Sequence, residues 1–507
     1  MITKSAVVAA LDREVKKLVV RHNQKAALAA RTRKNYEKRS GLKAAIPSSS
    51  TPDHWAVHPQ FNPYYVRPRI GSIGHAISGK VQNGKYEPNP TLVVRVPKPS
   101  GGTRRISMFS IPDAAVSYWL GNRLIQRNSY RFSSYTYAYR ADRNAHHAIE
   151  HLMGGIRGER RLFVLEYDFS KYFDTIRHDY LWSVIDDHFQ VSPRERELLE
   201  KFLQNPRAEG LADYVAGKFE VPEVGIPQGN NISLFLANVA CFELDREIER
   251  VGVVFARYAD DTLVLADSYA KADKCAKLLM SHGDRSGTQI NLRKSPGISL
   301  LTKDPKPEIR GVESVDFLSH RLSSESIAIS DRALARMKAR IAKISYNNLL
   351  LQPKRGAVNS DRVGAGFHDW DLVTCVNEIR RYIYGRISEQ MMGDVLDGNS
   401  RVNRTLCALS FYPTVDEAGA QVLKGLDGWL VDTLTRTYAK RVELLNKMGI
   451  PAKKLSPEAL VSGSWYSFPK VTNETSLPSF YRAWLYVRKA ALLYGLDSFP
   501  SPNYDYI

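Results

Sequence analysis

The period of the apolar positions changes several times along the chain. Residues 1–45 mix Ala, Leu and Val with Lys and Arg, which predicts one helix. From Pro47 to Pro68 serines and prolines break the pattern, but Trp55, Phe61, Tyr64 and Tyr65 predict that this linker packs along a surface. Leu92–Val96 and Thr103–Ile106 read as two strands about a glycine turn. Helices follow over 111–128 and, after the aromatic stretch Phe132–Arg140, from Ala145 to Leu152. Leu162–Tyr167 is a strand ending at Asp168, and the chain then turns into a helix with Leu181, Val184 and Ile185. A further helix covers 193–203. Beyond the loop Gly225-Ile-Pro-Gln-Gly229, the run Leu234 to Arg250 predicts one long helix. Val253–Phe255 and Leu263–Leu265 are β-branched and aromatic enough for two strands, joined by a tip at Tyr258-Ala-Asp-Asp261. A helix over 269–282, a strand from Gln289 with Lys294 at its end, and a hairpin over 315–322 follow. From Asp331 the period becomes helical. Leu334, Met337, Ile341 and Ile344 share one face, and Arg332, Arg336, Arg340 and Lys343 line another. A helix is predicted from Trp370 to Ser388, and the chain beyond about 400 is mostly helical.

Composition narrows the class. A chain of 507 residues exceeds one ordinary core, so roughly two to four domains are expected. An apolar content of 43% with 25% charged residues excludes wholesale disorder. The net charge of +19 suits a polyanionic partner, nucleic acid first and an anionic membrane surface second. Residues 1–43 carry 12 Lys or Arg against 3 Asp or Glu, a stripe that could lie on phosphates or simply face water. Cys241, Cys275, Cys375 and Cys407 stand far apart with no C-x-x-C pair, which argues against a zinc ribbon and for a reduced, cytoplasmic chain. No apolar run approaches the ~20 residues of a membrane span, so no membrane partner is expected.

The candidate chemistry centres on the Asp-Asp tip. Two adjacent carboxylates projected from a buried sheet are expensive to build unless a cation sits there. Asp168, at the end of another strand, is either a third member of the set or a helix cap. Asp168, Asp260 and Asp261 on neighbouring strands would suit two Mg²⁺ ions, which take oxygen ligands. Lys98, Arg104 and Arg105 flank the Gly101-Gly102 turn and could clamp a triphosphate, or form an ordinary basic hairpin. Gly229 allows close backbone approach, and Gln228 offers a donor and an acceptor for a base or sugar. Arg332, Arg336, Arg340 and Lys343 could follow a nucleic-acid backbone or be a solvated face.

In this order and spacing the motifs resemble the bacterial reverse transcriptases over about Leu92 to Leu322. Lys98-x-x-Gly-Gly-x-Arg104 looks like the fingers motif, Tyr167-Asp168-x-x-x-x-Phe173 like the first catalytic motif, and Gly225-Ile-Pro-Gln-Gly229 like the substrate loop. Tyr258-Ala-Asp-Asp261 is similar to the second catalytic motif. Asn291-Leu-Arg-Lys294 and Phe317-Leu-Ser-His320 resemble the later palm motifs, the latter with Ser319 where the family usually has Gly. Val376 to Gly385 echoes the thumb of intron-type enzymes. The resemblance implies an α+β right-hand polymerase: fingers, a palm with an antiparallel sheet, a helical thumb and an α-helical C-terminal extension. The expected bounds are a basic N-terminal helix (1–45), fingers (46–160), palm (161–328), a thumb-like region (329–400) and a helical C-terminal domain (401–507). It implies metal ligation by Asp168, Asp260 and Asp261 with the Phe169 carbonyl, catalysis by the same three carboxylates, and Phe173 as a gate against ribose. It places Lys294 with Lys98, Arg104, Arg105, Gln228 and Gly229 among the groups that contact dNTP and template.

Among these enzymes the extended helical C-terminal part looks like the defence-associated abortive-infection and unknown-group members. For those, the resemblance implies antiphage DNA synthesis from dNTPs on a partner noncoding RNA template, and a homo-oligomer. Template-independent synthesis primed by a protein hydroxyl, for which Tyr504 and Tyr506 in the tail are chemically suited, is the alternative. A nucleic-acid-binding scaffold with an inactive palm is a third reading, which the intact acids argue against.

Overall fold

Five strands form the central sheet, in the order Gly311–Val312, Gly297–Leu301, Leu162–Tyr167, Asp261–Ala266, Val254–Tyr258. Neighbours run antiparallel except the first pair, which is parallel. The computed structural model describes residues 2–44, 51–97, 102–158, 161–304, 307–363, 369–385, 387–399, 411–466 and 475–499. Leu162–Tyr167 and Asp261–Ala266 are nearly continuous apolar runs because both faces of the sheet are covered. Phe163, Leu165, Tyr167 and Val264 point into one core with Leu236, Cys275 and Leu279. Leu162, Val164, Leu263 and Leu265 point the other way, onto Ile149, Leu152 and Met153 of the Ala145–Gly158 helix.

The predicted helix over 234–250 is two helices, Asn231–Ala240 and Phe242–Val251, broken at Cys241. The cause lies elsewhere in the chain. The Tyr172 hydroxyl donates to the Ala237 carbonyl at 2.6 Å, the group that would otherwise accept from the Cys241 amide in a continuous helix. Lys294 likewise lies in a turn rather than at a strand end, because the strand there is only Gln289–Ile290. The helix from Trp370 ends at Tyr384, with Gly385 at φ +68° beyond it, and Ser388 caps a separate helix, Glu389–Leu396.

On the N-terminal side, Lys4–Ser40 is one helix. Its Val7, Leu11 and Val15 are buried in the core shared by the helices Ile70–Gln82 and Ile111–Asn128. The strands Thr91–Pro97 and Thr103–Met108 pair antiparallel, and Trp55 and Phe61 of the proline-rich segment close on Leu92. After the hairpins Val315–Phe317, His320–Leu322 and Ile327–Ile329, a second core begins. It takes Met337 and Ile341 from the Asp331–Ser345 helix, Leu372 and Val376 from Trp370–Tyr384, Leu430 and Leu434 from Gln421–Lys447, and Trp484 and Val487 from Phe480–Tyr494. Residues on both sides of position 400 therefore bury one common core. Within it Arg441 is fully buried, 2.7 Å from Asp369 and 2.9 Å from Asp371. The class is α+β, mostly helical with antiparallel sheets. No helix among the described residues is long and apolar enough to cross a membrane.

Candidate active site

Strand register gathers the acids. Tyr167 pairs with Thr262, so Asp168 leaves its strand directly across from Asp261. Tyr258 pairs with Asp261, which leaves Ala259 and Asp260 as a two-residue tip. Ala259 sits at φ +60°, a left-handed conformation that a side chain disfavours by about 1–3 kcal/mol. The tip is held from beneath by Arg257, which is fully buried. Its Nη1 donates to the Ala259 carbonyl at 2.9 Å, and its Nε and Nη2 reach the two Asp245 oxygens at 2.7 and 2.6 Å. Asn238 Oδ1 and Thr136 Oγ1 accept further bonds from the same guanidinium.

The electrostatics of the acids are those of an incompletely neutralised cluster. Asp168 is buried and its Oδ2 is ion-paired with Lys294. Its amide donates to Ser295 Oγ at 3.3 Å, and its carbonyl accepts from the Asn291 amide at 2.8 Å. Removal from bulk water and then the Asp168 charge raise the Asp260 carboxyl above the usual range, while Lys294 and Arg104 oppose the shift. The Asp261 residue is exposed, yet the surrounding protein and the Asp260 and Asp168 charges push its carboxyl up to about 7. Arg332, at the start of the Asp331–Ser345 helix, partly offsets that. Tyr139, at φ +61°, joins this field and was not singled out by the sequence. Burial and then Asp260 push its hydroxyl up to about 12. Its signal was present in the aromatic stretch 132–140, whose Thr136 bridges Arg257 in parallel and so runs beside the tip.

Other predicted residues are sorted by the fold. Arg104 and Arg105 are neighbours on one strand and so face opposite sides. Arg104 is exposed and felt by Asp260, whereas Arg105 is ion-paired with Glu209 and is drawn away from the carboxylates. Lys98 lies outside the described residues. The Phe169 ring is buried and stacks on Tyr172 at 5.5 Å. Phe173 is half-buried, edge-on to Tyr172, and its carbonyl accepts from the Ile226 amide at 2.6 Å, tying it to the Pro-Gln-Gly loop. The Gln228 carbonyl accepts from Ser107 at 2.7 Å. Gly229, at φ +123°, could not carry a side chain, since a Cβ would stand 2.7 Å from the Ser107 carbonyl oxygen. Ser319 adopts φ +66° after Leu318 at +49°, which accounts for glycine being the ordinary choice in that turn. Its Oγ accepts from Arg336 at 3.3 Å. Arg340 and Lys343 are exposed further along the same helix.

Among the described residues no group of three His, Cys, Asp or Glu side chains is set closely enough to hold a metal ion as it stands. The Asp168 Oδ2 oxygen is instead taken by Lys294. The donor chemistry nevertheless fits Mg²⁺: three carboxylates supply hard oxygens, and the upward pKa shifts of Asp260 and Asp261 mark crowded negative charge that a divalent cation would neutralise.

A hairpin carrying adjacent carboxylates across from a strand-end acid is the palm arrangement of a polymerase-type nucleotidyltransferase. Residues 96–322 match the family model for reverse transcriptase (RNA-dependent DNA polymerase), and this part of the chain is a reverse transcriptase domain. The chain is similar to protein YkfC of Escherichia coli, 27% identical over 209 residues, which are 40% of this chain and 52% of that protein. It is also similar to an uncharacterized 91 kDa protein in a cob intron of Schizosaccharomyces pombe, 23% identical over 269 residues, 52% of this chain and 31% of that one. It thus spans about half or less of the length of these relatives. Among solved structures, telomerase from Candida albicans with a TWJ fragment of telomeric RNA matches at a TM-score of 0.37 and 11% identity, covering 74% of this chain and 64% of that one.

Proposed function

We propose that the chain is an RNA-directed DNA polymerase that adds deoxynucleotides at the Asp168–Asp260–Asp261 end of its central sheet. The observation that carries this reading is the register of the three strands, which sets Asp168 opposite Asp261 with Asp260 at the tip. In this reading two Mg²⁺ ions are held by the three carboxylates and the Phe169 carbonyl, and when bound they supply charge neutralisation for phosphoryl transfer. The chain's own residues do the positioning. Arg104 and Lys98 meet the triphosphate. The Phe173 ring stands where it excludes a ribose hydroxyl, Gln228 and Gly229 bring backbone and amide to the base pair, and Lys294 steadies Asp168. Arg332, Arg336, Arg340 and Lys343 follow the product duplex along their helix.

The finer reading, antiphage defence with a noncoding RNA as template and a self-assembling cytoplasmic enzyme, is supported by the sequence resemblance. Buried, unpaired Cys241, Cys275 and Cys375 suit a reducing compartment. The test is incorporation of labelled dNTPs by the purified chain with Mg²⁺ on a primed RNA template, alongside a D260A/D261A variant. Product from the wild type alone is expected. Activity that survives in the variant would overturn the assignment, and synthesis indifferent to RNase would favour the template-independent alternative.

A further inference from the structure

The Lys4–Ser40 helix does two different things along its 37 residues, roughly 55 Å of rise. Its first four turns are amphipathic and buried on the Ile111–Asn128 and Ile70–Gln82 helices, with the Arg13 guanidinium 3.7 Å over the Tyr118 ring. Its last residues dock into the other module. The Arg39 side chain is buried, donates to the Asn347 carbonyl at 3.1 Å and to Asn348 Oδ1, and lies 3.8 Å from Asp371. The Asn359 amide closes the joint on the Arg39 carbonyl at 2.8 Å. Between these anchors, from Val20 to Lys38, no residue is buried. A helix with no apolar face to bury persists when it is anchored at both ends as a bridge.

The bridging stretch is strongly cationic. It holds Arg21, Lys25, Arg31, Arg33, Lys34 and Lys38 against the single acid Glu37. Arg33 is spent on Glu37 at 3.1 Å, and Arg31 approaches Glu378 at 3.7 Å. Arg21, Lys25, Lys34 and Lys38 are exposed and have no ion pair among the described residues. The bridge also has a defined place relative to the carboxylates. The Ile111–Asn128 helix beneath one end touches the start of the Asn231–Ala240 helix that follows the Pro-Gln-Gly loop, where Gly121 abuts the Asn231 backbone and Ser117 Oγ accepts from the Ile232 amide at 3.3 Å. The Asp331–Ser345 helix starts with Arg332 in the field of Asp261 and leads into Asn347 and Asn348, where Arg39 docks. Central sheet, thumb-like helix, bridge and the Asn231–Ala240 helix are thus joined in series.

We propose that this bridge is a second nucleic-acid contact. It is a strut spanning the two modules, and its Arg21–Lys25 and Lys34–Lys38 pairs bind backbone phosphates of the duplex leaving the carboxylates. The inference rests on the polymerase reading for the direction of the duplex. The 15 residues of the Asp331–Ser345 helix rise about 22 Å, so the Lys34–Lys38 pair, beside the Arg39 dock, falls roughly six base pairs from the acids, and the Arg21–Lys25 pair lies about 20 Å further along the bridge. Contacts to phosphate carry no sequence preference and release counterions.

The experiment compares the full chain with R21Q/K25Q/K34Q/K38Q, and with the charge-keeping R21K/K25R/K34R/K38R. RNA–DNA duplexes of about 16 and about five base pairs are titrated over a salt series, and dNTP incorporation is measured on both. The neutralised variant should lose affinity for the long duplex, and its log–log salt dependence should become shallower by about two to four. Its binding and extension of the short duplex should match the wild type, and the charge-keeping variant should behave as wild type throughout. An unchanged salt slope on the long duplex, or an equal loss on both lengths, would overturn the strut. Absence of any incorporation by the wild type, with the length-dependent binding intact, would sink the polymerase reading and leave the phosphate contact standing.

Discussion

Arg257 Nη1 donates to the Ala259 carbonyl, 2.9 Å away, from a position with no solvent exposure. A buried guanidinium thus fixes the peptide immediately before Asp260. Its charge is balanced by Asp245 through a two-pronged contact, so tip geometry depends on a residue in the helix behind the sheet. Removing one member of such a pair strands the other charge and destabilises by about 3–5 kcal/mol. Arg257→Met should lower urea stability by that amount and lower incorporation further than the stability loss explains. The double variant R257M/D245L should recover stability while leaving incorporation low. Recovery of both would mean that the pair serves folding alone.

The acids themselves should oppose folding. The Asp261 carboxyl is raised from about 3.8 to about 7 by enclosure and by Asp260 and Asp168. A carboxyl raised in the folded state binds its proton more tightly there, so its contribution falls as pH rises from about 4 through about 7. Asp261→Asn should therefore melt at a higher temperature than wild type at pH 7.5 without divalent ions, and the gap should close by pH 4. Mg²⁺ should raise the melting temperature of the wild type and change the variant little. A variant no more stable than wild type at pH 7.5 would contradict this.

The strand carrying Asp168 and the hairpin carrying Asp260 and Asp261 were legible because their apolar runs are short, β-branched and bounded by the acids. Their register was implicit in that boundary. The break at Cys241 was not legible, since the Tyr172 hydroxyl that takes the Ala237 carbonyl comes from 65 residues away. The same holds for Arg105, whose partner Glu209 is 104 residues distant. Adjacent arginines at a hairpin look equivalent in sequence, and only strand alternation separates Arg104 from Arg105. The common core of residues 329–499 was likewise hidden, because helical periodicity reports which face is buried and not against what.

Gly229 should tolerate no substitution. At φ +123° with the Ser107 carbonyl oxygen 2.7 Å from a prospective Cβ, alanine must displace either the loop or the strand carrying Arg104. Gly229→Ala should reduce kcat/KM for dNTPs by tenfold or more through KM, with unfolding free energy lowered by about 1–3 kcal/mol. Steady-state kinetics and urea unfolding on the same preparation check this. Gly217, at φ +67° with nothing within 4 Å of a prospective Cβ, serves as the control, with backbone strain and no clash.

Acid sensitivity should trace in part to Glu195. Burial alone would raise this carboxyl, but the Ser192 amide, Arg127 and Arg123 outweigh burial and hold it at about 2. Its side chain is only 6% exposed, with Arg127 at 2.6 Å and Arg123 at 2.7 Å. A carboxyl depressed on folding stabilises above its unfolded pKa, and that stability is lost as pH falls toward about 2. The contribution is at most about 3 kcal/mol. Glu195→Gln should show a flatter decline in urea stability between pH 5 and pH 2.5 than wild type. Parallel declines would assign acid sensitivity elsewhere.

Sugar discrimination should reside in Phe173. The ring is half-buried against Tyr172, and its backbone is pinned to Ile226 of the Pro-Gln-Gly loop, so it cannot retreat without moving that loop. Truncation to alanine removes the obstacle and leaves Tyr172, with its hydroxyl on Ala237, in place. Phe173→Ala should raise kcat/KM for ribonucleotides by at least tenfold relative to deoxynucleotides, mainly by improving ribonucleotide use. Phe173→Tyr, which keeps the bulk, should discriminate as wild type does. A uniform fall for both sugars in Phe173→Ala would instead mean that the ring only supports the loop, and the gate would then have to be sought elsewhere in the site.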